Sequence, residues 1–495
     1  MLHERLQLRD RETSESERTF YDTFDGLLHA AGLWAVHEQG RLSLGGSNGA
    51  SPGPSAAWAS APRRVLPIEL EPGPLREALV PVVGVRALLA QVLVRSRSQA
   101  FDVLDDEHKT VVRMTLELPA LVASPQREFE LRTRLRLSAV RGYDKALART
   151  RRTLERELGF SVPRRPLVDE AVRAAGGRPA GISSKPAVKL KFEQRTDAAT
   201  VAVLRALLEV VQANLEGTIA DVDAEFLHDF RVAVRRSRAV QRECKTAFPP
   251  AELERLRTEF RWLQRATGDA RDLDVYVLEF DAMRALVPDG FAGDLDPLLG
   301  VLRSRRLTAR REMVRALRSD RALALWRDWE ALLDELVEMP GAERRAAAMP
   351  IGEFAGRRIA KVYRRMVRMG SAIDDSSPPE ALHELRKKGK ELRYLLELFG
   401  TQLYADEVVK PMIKTLKALQ DVLGRHQDRE VQAATLRTLR EEVSALPGGS
   451  AALMAMGLLV GRVGADQHAA RGELADVFAA FASKRQRRLV KETFG

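Results

Sequence analysis

One cysteine in 495 residues, Cys244, excludes an intramolecular disulfide and any metal site built from thiolates, and it reads as buried filler. Aromatic residues make up only 6% of the chain, too few to line a surface with stacking platforms for bases. No run of 18 apolar residues occurs, and the N-terminus, MLHERLQLRDRE, is charged where a secretion signal would be apolar. A reducing, cytoplasmic setting without a membrane partner is therefore expected. Acids are missing from one line of helically spaced positions in each of two short stretches, and those stretches organise the chain.

The first is HDFRVAVRRSRAVQRECK, residues 228–245. Read as a helix, it carries His228, Arg231, Arg235, Arg238, Arg242 and Lys245 at steps of three and four, a ladder of cations along one side. Asp229 and Glu243 lie off that line, so pairing within the helix does little to neutralise it. Leu227, Phe230 and Val234 form an apolar stripe beside it. The pattern then recurs in HELRKKGKELR: His383, Arg386, Lys390 and Arg393 repeat the offsets 0, +3, +7 and +10. Here Leu382, Leu385, Leu392 and Leu395 form the seam.

The repeat extends further. LQRATGDARDLDV (263–275) aligns with LQDVLGRHQDREV (419–431), pairing Gly268 with Gly424 and Asp272 with Asp428. Arg261 then matches Lys417 in the preceding helices, and Arg205 stands opposite Arg358 in the helices ending near Gly217 and Gly370. Each central glycine is expected to end a helix and each aspartate to cap the next.

The expected fold is multidomain α+β. Residues 1–165 form an antiparallel β-barrel-like domain with helices. Its strands are read from the period-two alternation of VVRMTLELP (111–119) and FELRTRLRL (129–137). Helices are placed at 75–90 and 144–160, and the Gly/Ser/Pro-rich stretch 43–62 is read as a long loop. Residues 166–194 are a linker by composition. Two helical repeats follow, 195–345 and 346–495, as an all-α pseudo-twofold bundle.

Lys and Arg number 80 against 69 Asp and Glu, a formal charge of +11, which favours an anionic partner. A row of guanidinium and ammonium groups matches a row of anionic oxygens, and a histidine heading it donates to phosphate as it gains charge. Reading nucleic acid bases would call for aromatics or amides among the cations, yet only Phe230 and Tyr394 interleave with the ladders. An inorganic phosphate polymer suits the ladders better, with nucleic acid the competing ligand. Neither His228 nor His383 has a second His or Cys at ligand spacing, and His426 and His468 lack repeat counterparts. No nucleophile stands beside a base in both halves. The expectation is a binder with no catalytic residue, metal or cofactor.

FLHDFRVAVRRSR and ALHELRKKGKELR resemble the two histidine-headed signature helices of the conserved histidine α-helical domain, CHAD. TGDARDLDV (267–275) resembles its LG-x-x-RDLDV segment, with LGRHQDREV (423–431) a looser copy. The resemblance covers roughly 195–490. It implies an all-helical pseudo-twofold fold that binds inorganic polyphosphate in a basic groove and associates with polyphosphate granules. The ligand role then falls to His228, Arg231, Arg235, Arg238 and Arg242, and to His383, Arg386, Lys390 and Arg393, joined by Arg261 and Lys417. Gly389, inside the second signature helix, departs from the pattern and is expected to loosen that helix by up to ~1 kcal/mol.

The N-terminal part is similar to a CYTH, or triphosphate-tunnel, domain through FYDTFDGLLHAAGL (20–33) and RALLAQVLVRSRSQAFDVLDD (86–106). Such enzymes hydrolyse triphosphates with a metal held by acids and open on a Glu-x-Glu-x-Lys strand. The stretch set against it here, HERLQLRD (3–10), lacks that pattern, so a non-catalytic barrel is expected, with Arg95 and Arg97 as phosphate contacts. A metal-dependent triphosphatase fed by the helical domain is the alternative.

Overall fold

A computed structural model describes every residue except 1, 47–52, 185, 187 and 375. The chain divides into two compact units, Met1–Ser184 and Lys185–Gly495.

The first unit is built on an antiparallel sheet. Its strands are β1 Leu8–Asp22, β2 Leu33–Glu38, β3 Arg41–Gly46, β4 Ser55–Ala57, β5 Arg64–Val65, β6 Leu88–Leu104, β7 Thr110–Ser124, β8 Arg127–Glu130 and β9 Arg134–Ala139. They pair in the order β4-β3-β2-β1-β6-β7-β8, with β5 on β6 and β9 on β7. Helices α1 Leu27–Ala30, α2 Pro74–Val83, α3 Asp144–Arg156 and α4 Leu167–Ala174 accompany it. The stretch read as a loop, 43–62, ends β3 and supplies β4, while 47–52 lie outside the described residues.

Two expectations for this unit change. The opening strand is β1, which starts at Leu8, so HERLQLRD contributes only its last residues. Alternation along β1 puts Glu15 and Glu17 on one face, directly opposite Arg97 and Arg95 of β6. Paired carboxylates are thus present, in Glu15-Ser16-Glu17-Arg18-Thr19, where Thr19 stands at the lysine position of the pattern. Arg97 donates to Glu15 at 3.0 Å and Arg95 to Glu17 at 2.6 Å, so the two arginines expected to meet phosphate are engaged by acids.

The linker expected over 166–194 begins, instead, as packed structure. Ala171 and Val172 of α4 are buried with Phe20, Val92 and Val94. Beyond α4, the Ile182 amide donates to the Phe24 carbonyl at 2.9 Å. Gly26 and Gly181 both hold left-handed φ angles of +70° and +65° where these segments touch, and a Cβ on either would meet backbone at about 2.5 Å or less. Composition alone hid this, because glycine and proline serve a close backbone crossing as readily as a flexible tether.

The second unit is helical. Its first half comprises α5 Thr196–Ile219, α6 Ala224–Glu243, α7 Pro250–Ala266, α8 Gly268–Leu278, α9 Phe280–Arg284, α10 Asp289–Ala292, α11 Asp296–Leu317 and α12 Asp320–Glu335. Its second half comprises α13 Ile351–Gly370, α14 Pro379–Leu395, α15 Thr401–Leu403, α16 Asp406–Thr438, α17 Arg440–Ser444, α18 Gly449–Gly472, α19 Leu474–Phe481 and α20 Lys484–Phe494. The halves share one core that runs from Leu204 and Phe230 to Leu392, Leu419 and Phe494. Their opening helices are tied together at the start. Thr196 N donates to Met349 O at 2.9 Å, Ile351 N to Gln194 O at 2.8 Å and Gly352 N to Phe192 O at 3.0 Å, so the lead-in segments run antiparallel.

Helix α5, although charged residues interrupt it, is long and apolar enough to cross a membrane by length and composition, but more than half of its most apolar window is buried within the unit. Gly217 of α5 and Gly370 of α13 each receive an aromatic ring, Phe226 and Phe478, where a Cβ would come within 2.2 and 2.0 Å of ring carbons. Alanine is the better helix former by about 1 kcal/mol, but overpacking a ring costs about 1–3 kcal/mol, so the clash wins. Gly217→Ala and Gly370→Ala should each lower the thermal midpoint in calorimetry; an unchanged or raised midpoint would show that the rings move aside freely.

Candidate functional site

Helix α6 starts cleanly because Asp223, in extended conformation, accepts from the amides of Glu225 and Phe226 at 2.9 and 3.2 Å. Phe226, Leu227, Phe230, Ala233 and Val234 turn to the core, which leaves the cationic side at its margin. Helix α14 does the same with Leu382, Leu385, Leu392 and Leu395. Gly389 has a packing role there: a Cβ would stand 3.3 Å from the Gln420 amide, so its absence lets α16 approach.

The two ladder helices are fastened to each other by acids on their inner sides. Arg236 donates to Glu397, in the wider turn after α14, at 2.9 Å, and its guanidinium lies 6.0 Å from the Tyr394 ring centre. Arg242 reaches Glu391 at 3.4 Å and Glu243 at 3.1 Å, and Arg358 of α13 also holds Glu243. Glu243 and Glu391, 2% and 5% exposed, hydrogen-bond to each other. Burial, then this contact, raises the Glu391 carboxyl above its usual range, while Lys388, donating to it at 2.6 Å, works in the opposite direction.

With the helices so joined, Arg235 and Lys390 come close enough for the charge of one to act on the other. Burial, then Arg386 and Arg235, depress the Lys390 ammonium to about 8. Among the described residues neither Lys390 nor Arg235 has an acceptor within hydrogen-bond or ion-pair reach, and the Arg235 Nε is buried without a partner. Two like charges held together with no acceptor in contact, and only the more distant fields of Asp428 and Asp272 to offset them, are costly, and an anion between them would reduce that cost.

The other expected residues divide by what they touch. Arg231, 8% exposed, donates to the Gln264 carbonyl and the Thr267 hydroxyl, each at 2.8 Å; burial, then Arg235, pulls it down to about 10. Arg386 donates to Asp428 at 3.1 Å. Arg238 bonds the Gln264 side chain, and Arg393 bonds its repeat counterpart Gln420 at 3.4 Å and Glu397 at 2.6 Å. Burial, then Arg261, Arg242 and Arg257, lowers Arg238, which places Arg261 in the same field. Arg261 has Glu254 at 3.9 Å, and Lys417 is exposed. His383 Nδ1 donates to Gln427 at 2.7 Å. His228 lies with Glu225 and Asp229, one ligand atom of each falling within 4.8 Å of the others, and Arg271 is 3.7 Å from Glu225. That cluster escaped a search for His or Cys partners because its companions are carboxylates.

Sequence reasoning missed Gln264 and Gln420, although both sat in the aligned repeat. It also misassigned Asp272 and Asp428. Both lie inside helices rather than at caps, α16 passing straight through Gly424, and both face ladder cations: Asp272 in the field of Arg231, Asp428 bonded to Arg386. The two glycines lie beside the same contacts, at distances a side chain could also occupy. A Cβ at Gly268 would lie 3.9 Å from the Arg231 guanidinium and one at Gly424 would lie 3.8 Å from that of Arg386.

A profile of the CHAD domain family matches residues 202–437. This region is a CHAD domain. The crystal structure of the CHAD domain from the plant Ricinus communis superposes with a TM-score of 0.51 at 25% identity, covering 62% of this chain and 97% of that one. Two uncharacterised proteins of Mycobacterium tuberculosis, Rv2226 and MT2285, are each 31% identical over 210 residues, 41% of this chain. The match spans 38% of the length of these curated relatives. The preceding sheet unit is compatible with a CYTH-like fold.

The CHAD domain thus holds Lys390 in a state unfavourable to itself. In the folded chain its pKa lies below the unfolded value, so the ammonium costs stability at neutral pH and the cost fades as pH rises past about 8. Lys390→Met should therefore raise stability at pH 7 by about 1 kcal/mol, allowing for partial exposure, with less gain at pH 9.5. Denaturant melts at both pH values check this; a loss of stability at pH 7 would show that the lysine is already compensated.

Proposed function

We propose that the CHAD domain binds inorganic polyphosphate in a basic groove between α6 and α14, without cleaving it, and that the protein thereby associates with polyphosphate granules. The observation that carries this reading is the unpaired couple Arg235 and Lys390, contributed by equivalent helices of two repeats and surrounded by Arg231, Arg238, Arg386 and Arg393. Phosphate oxygens supply the missing acceptors, and the scarcity of aromatic residues along the two ladders, Phe230 buried and Tyr394 beside Arg236, favours a polymer without bases.

Binding of long-chain polyphosphate to the full chain should weaken steeply with salt, because cations displace condensed counterions from the polymer. Arg235→Glu with Lys390→Glu should weaken it about 100-fold or more, at roughly 1.5–3 kcal/mol per charge-assisted contact. The exposed pair Arg345→Glu with Arg485→Glu should change it only a few-fold. Equal losses would reduce the groove to net charge, and displacement by single-stranded DNA at matched phosphate would make nucleic acid the ligand.

Bound phosphate also keeps Lys390 protonated, so association takes up a proton once the free lysine begins to lose its own. Affinity should fall as pH rises from 7 to 9.5, and Lys390→Arg should flatten that profile. A profile that stays steep in the variant would assign the proton elsewhere.

A metal-dependent triphosphatase is the second reading, favoured by Glu15 and Glu17. Both carboxylates are already bonded to arginine, which supports the non-catalytic reading of the sheet unit. Phosphate release from triphosphate with Mg²⁺ or Mn²⁺ should be absent. Turnover abolished by Glu15→Gln with Glu17→Gln would establish the enzyme.

A further inference from the structure

A cleft between β9, α3, α4 and the segment joining the two helices takes no part in the reading above. Its volume is about 920 Å³, and six arginines line it, Arg132, Arg134, Arg151, Arg164, Arg165 and Arg173, against two acids. Both acids are already engaged. Glu155 accepts from Arg151 at 2.7 Å; Glu170 accepts from Arg134 and from the Arg132 amide, each at 2.8 Å. The side chains of Arg132, Arg164, Arg165 and Arg173 are exposed and have no carboxylate partner among the described residues. The Arg134 Nε is buried without a hydrogen-bond acceptor.

A rim of arginines alone would be a solvated surface. The floor makes the difference: Leu135, Leu137, Leu154 and Phe160 line the same cleft, and Val162 stands 64% exposed at its mouth. A bare inorganic anion leaves that floor wet, and a neutral apolar molecule leaves the guanidinium groups without acceptors. The cleft also differs in composition from the Glu15/Glu17–Arg95/Arg97 face of the sheet, where each of these arginines already has its acid.

We propose that this cleft binds an amphiphilic organophosphate, a monomeric molecule with an extended apolar body and a phosphate head. The apolar body covers the leucines and Phe160, and the head meets several guanidinium groups at once. A dianionic head suits four unpaired arginines better than a single carboxylate does.

The test is calorimetric titration of the full-length chain with dodecyl phosphate below its micellar concentration. Inorganic triphosphate and the neutral dodecyl maltoside, also below its micellar concentration, serve as comparators. One site is expected, at least tenfold tighter for dodecyl phosphate than for either comparator at the sheet unit. Arg132→Gln with Arg165→Gln, and separately Val162→Asp, should each weaken it at least tenfold with an unchanged circular dichroism spectrum; all three side chains are exposed, so folding is spared. Triphosphate binding that both variants weaken to the same degree would mean a bare basic surface. Equal binding of the maltoside would mean an unselective apolar patch, and affinity indifferent to the variants would place the ligand elsewhere. Capture by phosphatidate vesicles without affinity for the monomer would make the face a membrane contact. Each of these four outcomes overturns the proposal.

Discussion

The helical unit depends on keeping cations close together without letting them drive its helices apart. Arg235 and Lys390 repel across the gap between α6 and α14, and the same two helices are drawn together behind that gap by Arg236–Glu397, Arg242–Glu391 and the hydrogen-bonded Glu243–Glu391 pair. Buried, directed bonds on the inner side hold what long-range repulsion on the outer side would separate. Positive charge on the surface is therefore a built feature rather than an average of composition. The rest of the unit serves that opposition. Gly389 lets α16 come near enough for Gln420 to steady Arg393, and the α7–α8 junction offers Gln264 and Thr267 to Arg231.

What could be read from the sequence was mostly what repeats. The ladders, their offsets and the division into a sheet unit and a helical unit follow from periodicity, because a helix face or a strand face leaves its spacing in the chain. Which ladder members stay unpaired does not. Arg242 and Arg235 look alike as letters, yet one is bound to buried glutamates and the other is not, and the deciding residue, Glu391, comes from about 150 positions away. Asp272 and Asp428 were assigned to caps for a related reason. An aspartate four residues after a glycine fits a helix start, but here α8 has already begun at Gly268 and α16 runs unbroken through Gly424, so each aspartate falls within a helix.

In the sheet unit the misreading was one of register. Setting the family's opening strand against residues 3–10 hid the carboxylates of Glu15 and Glu17, because a strand with one polar face can slide along a sequence without an obvious penalty. Cross-strand partners fix it. Once β1 lies against β6, Glu15 faces Arg97 and Glu17 faces Arg95, and no shifted register keeps both pairs. The supposed linker is similar: a left-handed glycine pair at 26 and 181 is invisible until the two backbones meet.

The antiparallel clasp between residues 192–197 and 347–352 bears on how the chain is made. Helix α5 is the first element of the helical unit to be synthesised, yet its lead-in hydrogen bonds await a partner some 150 residues downstream. Such a long loop must close before those bonds form, which favours slow, late completion. During synthesis the first repeat must wait with its apolar opening helix incompletely covered, exposed to capture by chaperones or by another nascent copy. A ribosome paused before residue 352 would therefore hold a half that is helical but unsealed, and the second repeat acts as the closure of the first.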